Sequence, residues 1–227
     1  LGHLRKKKMR IKLVSDLHLE FSDILIPNDN DYDVLILAGD IMIATDLHDH
    51  PETSYGMYSN VNLEGLGRRQ QTALRFRDFL KRCSFQFPHV IYIAGNHEFY
   101  NGKWNQSLTT LSNECAKFPN VYFLEAGSKT IDDVTFIGGT LWTDMNKEDP
   151  LTLFHIKQMM NDFKCVQNSN REVSYKTFQP INKPVGMTDE EFLALPNEKR
   201  FKTVFKTRVA TFSPEDAVEE HRKCLDY

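Results

Sequence analysis

Cysteine is scarce in this chain, long apolar runs are missing, and neither sign of charge dominates. The four cysteines, Cys83, Cys115, Cys165 and Cys224, stand far apart, so no CxxC pair or zinc knuckle is available. Free thiols in a reducing cytosol are the expectation. No apolar run approaches the roughly 18 residues that a membrane span needs, and the longest, Val34 to Ala44, is cut by Asp40. The first residues are basic, but no apolar segment of signal-peptide length follows them. A cytoplasmic protein with no membrane partner is therefore expected. The net charge of −3 comes with no basic stripe of the kind a nucleic-acid binder shows. The one dense basic cluster, Arg5 to Arg10, reads as a solvated tail. Nucleic acid is not supported as a partner. Internal repeats and low-complexity tracts are absent as well.

What is present suits a globular enzyme-sized domain. Of 227 residues, 41% are hydrophobic, enough for a sizeable core. Residues 1–8 read as a disordered basic extension and 9–227 as a single domain. The first strand pattern begins just after Met9, which makes Met9 the expected start.

Three apolar runs share one grammar. Ile11 to Val14 is followed by Ser15, Asp16, Leu17 and His18. Val34 to Ala38 is followed by Gly39 and Asp40, and Val90 to Ala94 by Gly95, Asn96 and His97. Near-continuous apolar runs of this length predict strands buried on both faces, as in a parallel sheet. Arg68 to Cys83 carries Ala73, Phe76, Phe79, Leu80 and Cys83 at helix-face spacing, and Trp104, Leu108, Leu111, Cys115 and Phe118 make a second stripe. The first of these helices fits the crossover between the second and third strands. Further strands are predicted at Val121 to Leu124 and Val134 to Ile137. Helix starts are predicted at Asp149 with Pro150, and at Ser213 with Pro214 and Asp216. Phe163 to Phe212 reads as an irregular excursion with one short helix near Thr188 to Leu195.

In open α/β sheets, ligands gather outside the carboxyl ends of the strands. Three strand ends here supply Asp16, His18, Asp40, Asn96 and His97. Carboxylate, imidazole and amide oxygen without thiolate suit hard or borderline divalent ions. Spacing of two would place Asp16 and His18 on one face of a strand, and past the strand end they can still converge on one ion. Each piece alone is weak: D-x-H is common, "AGD" could be an N-cap, and "GNHE" could be a turn. Their order, with gaps of 24 and 56 residues from Asp16 to Asp40 and from Asp40 to Asn96, makes chance co-occurrence improbable.

The sequence resembles the calcineurin-like metallophosphoesterases. "SDLHLE", "LILAGDI" and "AGNHEFY" carry the resemblance across Ile11 to Tyr100, and "FIGGTLWTD" is similar to a segment that follows in bacterial and phage members. The resemblance implies an α/β fold, a β-sandwich flanked by helices in four layers, α/β/β/α. It implies two divalent metal ions, manganese foremost, with iron, zinc, nickel and magnesium also accommodated. Asp16 and His18 would bind the first ion, Asp40 would bridge, Asn96 would bind the second, and His97 would be the catalytic histidine. A hydroxide activated between the ions would hydrolyse a phosphomonoester or phosphodiester, with a small molecule or nucleotide as substrate. Glu98 is read as a helix cap, with orientation of His97 as the alternative; Tyr100 and Trp142 are read as core, with stacking on a base as the alternative; and His48 and His50 are read as rim residues over the site.

The family's later ligands, a histidine at a further strand end and a G-H-x-H motif, have no counterpart. Of the eight histidines, only His155 and His221 come after His97; neither follows a buried strand, and both lie in helical patterns. The chain thus resembles a member truncated at its C-terminus, with the second sheet incomplete and open to self-association. Weak activity or none is expected of this chain unless a partner completes it. The alternative is a non-catalytic binding scaffold on the same fold, although a scaffold has no need to keep all five residues.

Overall fold

Alternating side chains along two central strands set the layers. In the computed structural model, which describes residues 8–52 and 65–227, β1 (Ile11–Val14), β2 (Val34–Ala38), β3 (His89–Ile93) and β4 (Val121–Phe123) pair in that order, all parallel. The tail expected before Met9 lies, apart from Lys8, outside the described residues. Residues 53–64 lie outside them too.

Successive residues of a strand face opposite sides, and each side has found a different cover. Leu35, Leu37, Val90 and Tyr92 belong to the larger core, with Phe76, Phe79 and Leu80 of α2 (Arg68–Gln86) and Leu111 and Cys115 of α3 (Trp104–Cys115). Val34 and Ile91 face the other way, into a smaller core with Leu124 and Ile131. The α2 helix crosses from β2 to β3 and α3 from β3 to β4, as parallel neighbours require. Every residue of the expected α2 stripe is buried. A short helix, α1 (Ala44–Asp49), follows β2. Buried Arg77 on α2 ties the three helices together: it donates to Glu114 on α3 at 2.8 Å and to the carbonyls of Leu47 and His50 at 3.0 and 2.7 Å.

The second layer is a hairpin. β5 (Gly127–Ile131) and β6 (Val134–Gly138) pair antiparallel around a two-residue turn. "GSKTI" gives no strand pattern in sequence, because only Ile131 of β5 is buried. The hairpin covers β2 and β3 but not β1. Ile11 and Leu13, in register with Val34 and Ile36 on that same face, stay 42% and 63% exposed.

Residues Ser169–Ala210 form a second compact unit. Here the expected irregular excursion is corrected. β7 (Gln167–Pro180) and β8 (Phe201–Thr211) make a two-stranded ribbon, joined through the short helices Asp189–Leu193 and Asn197–Arg200. The period-two signal is weak because the ribbon has no well-buried face: Phe178 is 63% and Phe205 71% exposed. Its β-branched and aromatic content was the usable clue. Thr188 caps the first short helix through a capping box, as do Ser213 and Asp216 for the helix Pro214–Asp226. Asp149 caps Pro150–Met159 through the Thr152 amide at 2.8 Å. Among the described residues no helix is long and apolar enough to cross a membrane.

Candidate metal centre

The polar residues past β1 and β2 do not continue as pleated strand. Asp16, His18 and Asp40 all take left-handed backbone, with φ of 55°, 46° and 54°. Non-glycine residues adopt this region uncommonly, and such strain collects at functional sites. The two segments still run side by side. The amides of Asp16, His18 and Leu19 donate to the carbonyls of Gly39, Asp40 and Ile41 at 3.0, 3.0 and 2.9 Å. Asp16 and His18 therefore converge past the strand end, through turned backbone.

Two glycines allow the ends of β2 and β3 to abut. Gly39 has φ +87°, and a Cβ there would stand 2.9 Å from the Gly95 backbone. A Cβ on Gly95 would overlap Asp40 Oδ1 and stand 2.6 Å from the Asp40 amide nitrogen. The Asp40 carboxylate fills the space that the missing side chain leaves. Its Oδ1 also accepts from the His97 amide at 3.0 Å.

One ligand atom from each of Asp16, His18 and Asp40 lies within 4.8 Å of the others. His18, Glu20 and His97 form a second such group, with His18 common to both. Asn96 sits between Gly95 and the 3₁₀ turn His97–Phe99. Its amide nitrogen donates to the Tyr100 hydroxyl at 3.3 Å, which leaves its carbonyl oxygen as the acceptor. The His97 ring stacks on Tyr100 at 4.3 Å between centroids and meets the His18 ring edge-on at 4.4 Å. Tyr100 thus belongs to the wall of the site. Burial and the nearby Asp162 carboxylate push its hydroxyl up to about 12.

Glu98 is not a helix cap. It is fully buried, and its carboxylate accepts from the amides of Gly95, Asp40 and Ile41 at 2.8, 3.0 and 2.7 Å, and from Met42 at 3.3 Å. The Tyr92 hydroxyl adds a further bond at 2.8 Å. Burial pushes the Glu98 carboxyl up, while these donors pull it back towards the carboxylate. The side chain fastens the end of β2 to the end of β3. Glu20, the other carboxylate missed in sequence, contacts Nδ1 of both His18 and His97. Its signal was its place in "SDLHLE", two residues past His18.

The remaining candidates fall elsewhere. His48 is exposed on α1 and pairs with Asp49 at 3.0 Å. His155 lies on the helix Pro150–Met159. His221 contacts the Trp142 carbonyl, and Trp142 packs against Trp104 and Phe212 in the core. The buried thiols stand apart from these donors, and burial pushes Cys83 up to about 12.

Comparison with known proteins finds similarity to one family. The profile of the family described as calcineurin-like phosphoesterase matches residues 9–204. A curated relative, "Uncharacterized protein L509" of Acanthamoeba polyphaga mimivirus, is 28% identical over 182 residues, which are 77% of this chain and 59% of that protein. The chain therefore spans under two thirds of the length of this relative. A solved structure, the phosphopantetheinyl hydrolase of Mycobacterium tuberculosis, aligns with a TM-score of 0.47 and 18% identity, over 71% of this chain and 56% of that one.

Proposed function

The chain belongs to the calcineurin-like phosphoesterases, and on that premise we propose that it is a metal-dependent hydrolase of phosphomonoesters or phosphodiesters. The observation that carries the reading is the convergence of Asp16, His18 and Asp40 to within 4.8 Å at abutting strand ends. The donor set fits the group: two carboxylates and an imidazole are ligands for manganese, iron or zinc. Asp16 and His18 would hold a first ion. Asp40, with two carboxylate oxygens, would serve that ion and a second one, to which Asn96 would offer its amide oxygen. When bound, the ions supply Lewis acidity to the phosphoryl group.

The rest of the work falls to the chain's own residues. Glu98 and the two glycines keep Asp40 against the amide of His97, so the ligands and the catalytic histidine hold one geometry. His97, with Nδ1 on Glu20 and its ring against Tyr100, keeps Nε2 free; once protonated there, it can give that proton to the leaving oxygen or hydrogen-bond the phosphoryl oxygens.

The test is metal analysis coupled to manganese-dependent hydrolysis of p-nitrophenyl phosphate and bis-p-nitrophenyl phosphate, on this chain and on Asp40→Ala. Asp40→Ala is expected to lose bound metal and on the order of a thousandfold of turnover, since metal polarisation supplies several kcal/mol. Equal metal content in both proteins removes the assignment. Metal binding without hydrolysis of either ester counts against the activity of this chain while leaving the metal assignment standing.

A further inference from the structure

We propose that Glu20 is the positioning residue of this centre: a single carboxylate oxygen holds both site imidazoles by Nδ1 and so turns both Nε2 atoms over to chemistry. Glu20 Oε1 lies 3.2 Å from His18 Nδ1 and 3.1 Å from His97 Nδ1. An ionised carboxylate only accepts, so each ring carries its hydrogen on Nδ1. A neutral ring of that tautomer has its lone pair on Nε2, the nitrogen a metal ion requires, and the partner of the other nitrogen decides which one is free.

The carboxylate is itself well placed. Its side chain is 10% exposed. The preceding Leu19 is fully buried and its amide is bonded to the Ile41 carbonyl at 2.9 Å, which anchors the backbone beneath it. The second oxygen, Oε2, is buried without a hydrogen-bond partner, so among the described residues the two histidines are what the carboxyl group serves. His18 belongs to both donor groups, and its ring meets that of His97 edge-on. Glu20 thereby couples the orientation of a ligand to that of the proton-handling histidine.

This proposal rests on the metal-centre reading for its consequence but not for its first readout. In the metal-free protein with ¹⁵N-labelled histidine, long-range ¹H–¹⁵N spectra at alkaline pH report the tautomer of each ring. The native chain is expected to show His18 and His97 as Nδ1–H, and Glu20→Ala to move both towards Nε2–H. Glu20→Gln keeps the volume and one acceptor oxygen, so it should fall between the two, and it carries the same readout if the alanine variant does not fold. Zinc titration should then give about 10–100-fold weaker binding in Glu20→Ala with unchanged stoichiometry. Unchanged tautomers in both variants overturn the proposal. So does loss of a whole ion, which would make Glu20 a ligand. Should Asp40→Ala bind zinc as the native chain does, the metal-centre reading fails while the tautomer result still decides the role of Glu20.

Discussion

The strand-end platform (residues 16–20, 39–42 and 95–100) and the ribbon Ser169–Ala210 differ less in residue types than in what those residues touch. Both mix carboxylates, aromatics and apolar residues. In the platform, polar groups find partners far away in sequence: Glu98 binds amides 56 to 58 residues distant, and Glu20 reaches His97 across 77. In the ribbon, the large apolar groups Phe178, Leu193 and Phe205 are each more than 60% exposed. The platform is over-determined, and a site needs its donors held on rigid, supported elements. The ribbon makes no such demand of its own side chains.

The strongest attempt to break the comparison is Glu98→Ala. The change strands the amides of Gly95, Asp40, Ile41 and Met42 together with the Tyr92 hydroxyl in a fully buried place. Each orphaned buried donor is expensive, and loss of such a network belongs among the large single-site effects. Urea denaturation should show destabilisation on the order of 3–5 kcal/mol. A loss below about 1 kcal/mol would mean that water satisfies these amides and that the platform is looser than its bonds imply.

How far this difference could be read from sequence follows from the range of the interactions. The strand ends, the five candidate donors and the helix starts at Asp149 and Ser213 rest on signals within a few residues: an apolar run breaking into glycine and acid, or a cap followed by proline. The role of Glu98 was hidden because its partners are backbone groups of another strand end, which carry no residue identity. The left-handed turns at Asp16 and His18 were hidden because no glycine marks them. The ribbon and β5 escaped for the opposite reason. With no face well buried in the ribbon and only Ile131 buried in β5, apolar residues need not alternate, and periodicity had nothing to report.

Gly95→Ala sharpens the comparison by a smaller step. The backbone of Gly95 is not left-handed, so the penalty is one of space: the new methyl must displace Asp40 Oδ1 or part the two strand ends. Overpacking of this kind costs about 1–3 kcal/mol. The functional effect should exceed the structural one, because the displaced atom belongs to the carboxylate proposed as the bridge. Thermal denaturation and metal analysis of one preparation would separate the two. Native metal content with lowered stability would place the bridging oxygen elsewhere.

The smallest effect is expected in the ribbon. Phe205 is 71% exposed on β8, so its replacement removes little apolar surface from any core. Phe205→Thr puts a β-branched residue in place of the aromatic one and so limits the loss of strand preference. Stability should stay within about 0.5 kcal/mol, as for other surface changes, with metal content unaltered. A loss beyond about 1.5 kcal/mol would show that the ring is covered in solution, since only burial on that scale returns such a value. Sedimentation velocity would then say by what: if a second copy covers it, Phe205→Thr lowers the association state as well as the stability. If the mass stays that of one chain throughout, the contrast between a supported platform and an unsupported ribbon would have to be drawn at a different residue.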